Sequence, residues 1–131
     1  MKFHHIGIIV KDIGSECNLY SLLGYNVECD IITDNTQFNK IVFLINPITR
    51  ERIELIEPID SRSTVYNLPK GYTHMCYQTE DLETDLAYIK QNKLGVVITK
   101  VLQAPAINNN KIVFIYLKNR NIIELVEIKS E

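Results

Sequence analysis

The sequence predicts an α+β fold in which two copies of one β-α-β-β-β unit form a curled mixed sheet. Two observations support this prediction. Short apolar runs rich in β-branched residues alternate with segments whose apolar residues recur at helical spacing. The same order of elements then returns about 70 residues further along the chain, with matching residues at nearly constant offsets. A tandem duplication therefore defines the expected architecture.

The first copy covers about residues 3–58. Its opening stretch, residues 3–10, is rich in β-branched side chains and predicts a strand. The apolar residues that follow recur at helical spacing as far as Gly24, which predicts a helix. Further strands are predicted over residues 26–33, 38–46 and 52–57, and Pro58 ends the last of them.

The second copy covers about residues 72–128 and follows the same order. A strand begins near Tyr72, and the apolar residues from Leu82 onward predict a helix that ends at Gly95. Further strands are predicted over residues 96–103, 111–117 and 121–128, and residues 59–71 form the linker between the copies. Each copy is too small to be stable alone, so residues 1–131 are expected to form one domain.

The two copies can be overlaid residue by residue. Offsets that differ by only one or two residues indicate a duplication with small changes in loop length. The matched residues are His5 with His74 (74 − 5 = 69), Asp12 with Asp81 (81 − 12 = 69), Gly24 with Gly95 (95 − 24 = 71), Phe43 with Phe114 (114 − 43 = 71) and Glu54 with Glu124 (124 − 54 = 70).

The composition is that of an ordinary globular protein, with 46% apolar and 23% charged residues among 131. A formal net charge of −2 and a pI of about 5.9 offer no basic footprint for nucleic acid. The three cysteines are widely spaced, which argues against a disulfide framework or a thiolate zinc site. The apolar run at residues 6–10 is too short for a signal segment or a bilayer span. A soluble, cytoplasmic protein without a membrane partner is therefore expected.

The matched histidines and glutamates predict a shared divalent-metal site. If the copies are related by approximate two-fold symmetry, His5 meets His74 and Glu54 meets Glu124. Each glutamate lies mid-strand between large aliphatic residues, where an unpaired carboxylate would carry a heavy desolvation cost. The alternative is that each strand is buried on one face only and that both glutamates point to solvent from the other face. This alternative fits their matched positions in the two copies less well. Two nitrogen and two oxygen ligands suit zinc, nickel, cobalt, manganese or iron.

The neighbouring polar residues are interpreted as structural or solvated. His4 must point to the face opposite His5, so it is expected to be a packed or surface residue. Glu57 and Glu127 also match across the copies, but alternation and their place near strand ends predict solvated side chains. No glycine loop of the phosphate-binding kind accompanies the basic residues, which are interpreted as a solvated rim: Arg50, Arg52, Lys111 and Arg120.

The chain resembles the vicinal oxygen chelate superfamily, which includes glyoxalase I, methylmalonyl-CoA epimerase, extradiol dioxygenases and bleomycin- or fosfomycin-resistance proteins. The resemblance covers residues 3–128. It is carried by the order and spacing of HHIGIIVKD, RIELIEP, YTHM and NIIELVE. This resemblance implies a glyoxalase-like fold. Matched one residue at a time, the metal ligands of the superfamily fall on His5, Glu54, His74 and Glu124.

Within the superfamily, ELIEPIDSRSTVYNL is similar to the segment that leads to the second ligand histidine in methylmalonyl-CoA epimerases. This resemblance implies a metal-dependent epimerase that removes the α-proton of a short acyl-CoA such as methylmalonyl-CoA. Glu124 and Glu54 are the expected bases, and a homodimer is expected.

The chain departs from those epimerases in four places. They commonly have a second histidine where this chain has Thr73, and some have glutamine where it has Glu54. They have a glycine-bearing turn where this chain has KNRN, and an asparagine is expected to take the positive φ there. They can also use an additional carboxylate on a middle strand, and residues 38–46 contain none.

Three alternative functions stay open. Glu54 is a glutamate as in glyoxalase I, which favours a lyase of that type acting on a thiol hemithioacetal. A metabolite- or drug-binding module of the resistance type would share the fold without needing a metal. An extradiol dioxygenase fits less well, because it requires two histidines and one carboxylate around iron with the other positions open.

Overall fold

The computed structural model describes residues 1–130 of the chain. The first copy contains β1 (Lys2–Ile9), α1 (Ile13–Leu22), β2 (Asn26–Val27), β3 (Ile32–Asp34), β4 (Asn39–Ile45) and β5 (Arg52–Pro58). The second contains β6 (Thr73–Thr79), α2 (Leu82–Gln91), β7 (Gly95–Val97), β8 (Leu102–Ala104), β9 (Asn110–Leu117) and β10 (Ile122–Glu127), with a 3₁₀ turn at Pro105–Ile107. The predicted α+β class and the duplicated order of elements are confirmed.

The chain divides into two compact units. The first unit comprises His5–Thr73, and the second comprises Met1–His4 together with the described residues from His74 onward. Neither helix in residues 1–130 combines the length and the apolar character that a membrane crossing needs. All three cysteines are free thiols: Cys17, Cys29 and Cys76.

The strands of each unit pair in the same pattern. In the first unit the order is β2-β4-β5-β1, and β3 also pairs with β4. β1 is parallel to β5, whereas β4 is antiparallel to β5, β2 and β3. In the second unit the order is β7-β9-β10-β6, with β8 on β9. Here β6 is parallel to β10 and the other pairs are antiparallel, so both units have mixed strand pairing.

Each unit buries an apolar core between its helix and one face of its strands. In the first unit the core comprises Val10, Ile13, Val42, Leu44, Ile53 and Leu55. In the second it comprises Leu82, Ile89, Val113, Ile115 and Leu125. Successive strand residues point to opposite faces. Glu54 and Glu124, each flanked by core residues, therefore lie on the face away from the helix.

The edge strand of each unit is interrupted, although continuous strands were predicted over residues 26–33 and 96–103. Between the pairs Val27–Leu44 and Ile32–Ile41, the edge advances five residues while β4 advances three. The second unit shows the same five-to-three difference between its β7 and β8 pairings with β9. Two extra residues thus leave the ladder in each copy, as in a bulge. The residue pattern of one strand cannot reveal such an insertion, because an extra residue is extra only relative to the partner strand.

Gly95 does not end α2, although the overlay matched it with Gly24. Gly24 has φ of +99° just beyond α1, but the left-handed residue beyond α2 is Lys93, with φ of +54°. Gly95 instead begins β7, where a Cβ atom would lie 2.8 Å from the carbonyl oxygen of Tyr116. Glycine is needed there for the close approach of two strands.

The turns that join β4 to β5 and β9 to β10 place an arginine in the left-handed region at matched positions. Arg50 has φ of +69° and Arg120 has φ of +73°. The expectation that an asparagine takes this conformation is therefore wrong. The asparagine side chains hold the turns in another way, since Asn119 Oδ1 accepts a hydrogen bond from Asn121 N at 3.0 Å.

Each helix begins at an aspartate that caps its N-terminus. Asp12 accepts hydrogen bonds from the backbone N and hydroxyl of Ser15 at 3.0 and 2.6 Å. Asp81 accepts the equivalent bonds from Thr84 at 3.0 and 2.7 Å. The Ser15 hydroxyl and amide hold the pKa of Asp12 below its usual range, and the Thr84 amide and hydroxyl do so for Asp81. These bonds satisfy amides that the first helical turn leaves open.

We predict that the free energy of unfolding of the double variant Asp12→Asn/Asp81→Asn falls less than that of wild type as the pH is lowered. A lowered carboxyl pKa contributes stability above the unfolded value of 3.8, and this stability is lost as pH falls through the folded pKa. The gap between wild type and variant, measured by urea unfolding, should shrink between about pH 5 and pH 2. A gap that stays constant over this range would contradict the prediction.

Candidate functional site

The first unit brings His5 of β1 next to Glu54 of β5. β1 and β5 are parallel and Gly7 pairs with Glu54, so His5 shares the face of Glu54 by alternation. His5 Nε2 lies 3.4 Å from Glu54 Oε1, and the two residues are 0% and 5% exposed. Phe43, the direct partner of Glu54 on β4, sets its ring edge-on to His5 with centroids 5.1 Å apart.

The second unit repeats this arrangement with His74 of β6 and Glu124 of β10. His74 Nε2 lies 3.2 Å from Glu124 Oε1, and the residues are 8% and 3% exposed. Phe114 pairs with Glu124 across β9 and β10, and its ring is edge-on to His74 at 5.4 Å. Cys76, also fully buried, pairs with Glu124 in the parallel β6–β10 register. Each unit therefore holds one buried imidazole–carboxylate pair behind an aromatic ring.

Burial of both glutamates excludes the alternative in which they face solvent from one-sided strands. Ile53 and Leu55 are buried at 7% and 0% on the helix side, yet Glu54 between them is buried as well. These strand segments are covered on both faces. A buried carboxylate requires a positive or hydrogen-bonding partner, and the imidazole beside each glutamate is one such partner within its own unit.

Glu57 and Glu127 are not solvated, so the prediction for these two residues is wrong. The Glu57 side chain is 21% exposed and accepts a hydrogen bond from Ile13 N, at the start of α1, at 2.9 Å. Glu127 is 14% exposed and accepts one from Leu82 N, at the start of α2, at 3.0 Å. A carboxylate is favoured at a helix N-terminus, where unpaired amides and the helix dipole meet. Both residues therefore anchor their helix and do not belong to the candidate site.

One of the four basic residues that were assigned to a solvated rim also forms an ion pair. The Arg52 side chain is 36% exposed, and its Nε donates to both carboxylate oxygens of Glu28 at 3.0 and 2.9 Å. Glu28 follows β2 and lies 24 positions from Arg52 in the chain. No local pattern links the two residues, so only the paired strands reveal the contact. His4 is partly buried, in line with its expected packed or surface position.

Each buried pair offers donor atoms of the kind that bind a divalent cation. His5, Glu54, His74 and Glu124 are all buried, and each offers one ligand atom of a kind that binds metals. Imidazole nitrogen and carboxylate oxygen are ligands for zinc, manganese, iron, cobalt and nickel.

Comparison with known proteins supports the resemblance noted in the sequence. The sequence profile of the Glyoxalase/Bleomycin resistance protein/Dioxygenase superfamily matches residues 4–114. No curated protein shows a significant sequence match. Many solved structures share the fold.

Three of these structures illustrate the likeness. Methylmalonyl-CoA epimerase from Mycobacterium tuberculosis has 22% identity and a TM-score of 0.82, with 99% of this chain and 89% of that chain covered. A hypothetical protein from Bacillus halodurans C-125 has 23% identity and a TM-score of 0.83, covering 99% and 96%. A variant of Streptomyces coelicolor methylmalonyl-CoA epimerase, solved in complex with 2-nitronate-propionyl-CoA, has 20% identity and a TM-score of 0.79, covering 99% of both chains.

At these identities the likeness concerns the fold. The profile match spans most of the chain and agrees with the duplicated unit seen in the structure. The chain therefore belongs to the glyoxalase/bleomycin resistance protein/dioxygenase superfamily.

Proposed function

We propose that the His5–Glu54 and His74–Glu124 pairs jointly bind one divalent metal ion, and that the protein is a metal-dependent epimerase of a short acyl-CoA. The single observation that carries the metal site is the repetition of the same buried pair in both units. One pair alone offers two ligands, whereas protein metal sites of this kind take about four to six. If both pairs bind the same ion, residues that are already buried supply four ligands.

The family supports this proposal for the substrate class. Several solved relatives are methylmalonyl-CoA epimerases, including one bound to methylmalonyl-CoA. The segment ELIEPIDSRSTVYNL of this chain resembles the corresponding epimerase segment. We therefore infer a thioester substrate with an acidic proton on the carbon next to the carbonyl.

The reaction we propose is removal of that α-proton and its return to the opposite face. When bound, a divalent ion polarises the substrate carbonyl and stabilises the negative charge that develops as the proton leaves. A protein base must lie within hydrogen-bond reach of the proton. Glu124 and Glu54 are the two carboxylates of the proposed site, and each is already next to an imidazole that holds it in place.

Glu124 is the better base of the two. Some epimerases that the chain resembles have glutamine where it has Glu54, so a base at position 54 is not required for this chemistry. We assign Glu124 as the main base for proton transfer at the α-carbon. Glu54 is assigned mainly as a metal ligand, with a lesser part in proton transfer.

A glyoxalase I-type lyase is the second candidate, favoured by the glutamate at position 54. It would move a proton on a thiol hemithioacetal through the same four residues. The superfamily also includes metabolite-binding resistance proteins, which would bind a small molecule without turning it over. We further propose that residues 1–131 act as one domain in a cytoplasmic homodimer, consistent with the free thiols of all three cysteines.

Proton exchange in D₂O tests the proposed reaction. Metal-loaded protein is mixed with methylmalonyl-CoA, and deuterium incorporation at the α-carbon is followed by NMR beside a hemithioacetal turnover assay. We expect exchange on the thioester, because the proton must leave and return during epimerisation. Turnover of the hemithioacetal without thioester exchange would establish the lyase in place of the epimerase. Saturable binding of a thioester without either reaction would indicate a binding module.

A further inference from the structure

Each unit exposes apolar side chains along the same stretch, from the end of its helix through its edge strand. We call residues 19–31 of the first unit the acidic face and residues 89–101 of the second unit the basic face. The two stretches are equivalent, because Glu28 and Ile98 each donate a backbone N–H to the matched phenylalanine of the neighbouring strand. Concentrated apolar surface of this kind marks interaction sites. The exposed large apolar residues are Leu19, Leu22, Leu23, Val27 and Ile31 on the acidic face, and Leu94, Val96, Val97, Ile98 and Val101 on the basic face.

The two faces carry opposite charge. The acidic face contains Glu28 and Asp30 and no basic residue, whereas the basic face contains Lys90, Lys93 and Lys100 and no acidic residue. Asp30 and Lys100 occupy equivalent positions, and both residues are exposed. Opposite charges attract across an interface, and like charges placed opposite each other are unfavourable. Each face therefore suits the other better than it suits a second copy of itself.

Asp30 and Lys100 are the charges that a partner can reach without breaking an existing ion pair. Glu28 is already bound to Arg52 within the first unit. Across residues 1–130, neither Asp30 nor Lys100 forms an ion pair. A contact that brings these two residues together would therefore add one attraction and remove none.

The basic face also contains an apolar groove of about 450 Å³ between α2 and β7. β7 begins with Gly95, where a Cβ atom would lie 2.8 Å from Tyr116 O, so close packing of the two strands keeps this position without a side chain. In the first unit, Tyr25 directly precedes β2 and packs edge-on to Tyr20 of α1, with centroids 5.8 Å apart. The two units thus differ in the side chains that fill the space between helix and edge strand.

Leu22 is the side chain of the acidic face that best suits such a groove. It is the last residue of α1 and is 83% exposed. The matched residue of α2 is Gln91, which is polar. The first unit therefore presents a protruding leucine to solvent where the second unit presents an amide.

We infer that two copies of the chain associate through unlike faces, with the acidic face of one copy packed against the basic face of the other. This inference rests on the homodimer of the proposed function and names its contact surface. In a two-fold dimer the contact between unlike faces forms twice. Each copy then offers two segments of 13 residues, 26 in all, and a stable interface takes about 20 to 30 residues per partner.

Sedimentation equilibrium of charge-reversal variants tests this inference. We expect wild type to form a dimer, and we expect Asp30→Lys or Lys100→Asp alone to weaken it by about 10- to 100-fold, because each dimer then contains two like-charge contacts. An equimolar mixture of the two single variants should dimerise like wild type, because each chain then meets the opposite charge on its partner. The double variant Asp30→Lys/Lys100→Asp should also dimerise, because reversal of both charges restores the attraction.

Two further variants separate the faces from the rest of the surface. Lys70→Asp is the matched control for Lys100→Asp, because Lys70 is an exposed lysine of the linker outside both faces, and it should leave the dimer unchanged. Leu22→Gln introduces the residue that α2 has at the matched position and should weaken the dimer. Circular dichroism of each variant identifies any loss of folding.

The outcomes distinguish this inference from the proposed function. A dimer that persists in both single variants would overturn these faces and leave the homodimer in place. Single variants that remain monomeric when mixed would overturn the pairing of unlike faces. A monomeric wild type would overturn both the inference and the homodimer, and its cosedimentation with anionic phospholipid vesicles would assign the basic face to a lipid surface. α-Proton exchange, measured on the same samples, tests the proposed reaction separately.

Discussion

Replacing Glu124 with glutamine should lower the rate of α-proton exchange on methylmalonyl-CoA by about 10²- to 10⁴-fold, the usual contribution of a general base. Glutamine has nearly the same shape and retains an oxygen that can bind a metal, but it cannot accept the proton. Deuterium incorporation at the α-carbon in D₂O measures the rate, and elemental analysis of the purified variant measures bound metal. Loss of exchange with retained metal is the expected result.

Two glutamine variants serve as controls for this experiment. Glu127 lies three residues further on β10, and its carboxylate accepts a hydrogen bond from Leu82 N, so Glu127→Gln should reduce stability but preserve exchange. Glu54→Gln should keep a larger share of activity than Glu124→Gln, since some similar epimerases have glutamine at this position. Near wild-type exchange in Glu124→Gln, or equal losses in Glu124→Gln and Glu54→Gln, would contradict the assignment of Glu124 as the main base.

Metal binding should raise the thermal unfolding midpoint by on the order of 10 °C. A ligand at about 1,000 times its dissociation constant stabilises the folded state by about 4 kcal/mol. For a domain of this size each kcal/mol corresponds to a few degrees. The physical cause is the presence of two buried carboxylates, whose charges a bound cation would balance. Scanning fluorimetry of chelator-treated protein, before and after addition of Co²⁺, Mn²⁺ or Zn²⁺, measures the shift.

The variant Glu54→Ala tests whether this shift depends on the proposed ligands. Removing one of four ligands should lower metal content and abolish most of the shift. Glu57→Ala is the matched control, because Glu57 lies on the same strand but its carboxylate accepts from Ile13 N at the start of α1. It should lower the midpoint of the metal-free protein and leave the metal-induced shift intact. An undiminished shift in Glu54→Ala would remove Glu54 from the ligand set.

Much of the fold follows from patterns that are local in the chain. The strand and helix bounds were predicted to within a few residues, because alternation and helical spacing are set by each element's own buried face. Asp12 and Asp81, which the overlay matched, cap the two helices through bonds that need only the residues of the next turn.

The errors concern residues whose role depends on a partner strand or helix. The predicted strands over residues 26–33 and 96–103 are each interrupted, and Gly95 serves strand packing instead of a helix end. Glu57 and Glu127 were expected in solvent, but each caps a helix more than forty residues away in sequence. Alternation predicts the side of a strand on which a residue lies and says nothing about what covers that side.

The sequence by itself determined the duplication and the α+β class and predicted the four residues of the proposed metal site, because equivalent positions in two copies of one unit can be recognised from order and offset. Only the tertiary structure decided that each histidine lies beside its glutamate at 3.4 and 3.2 Å, and that all four are buried. It also paired Arg52 with Glu28. The physical reason is that these contacts join strands far apart in the chain, and their register and covering are properties of the folded units.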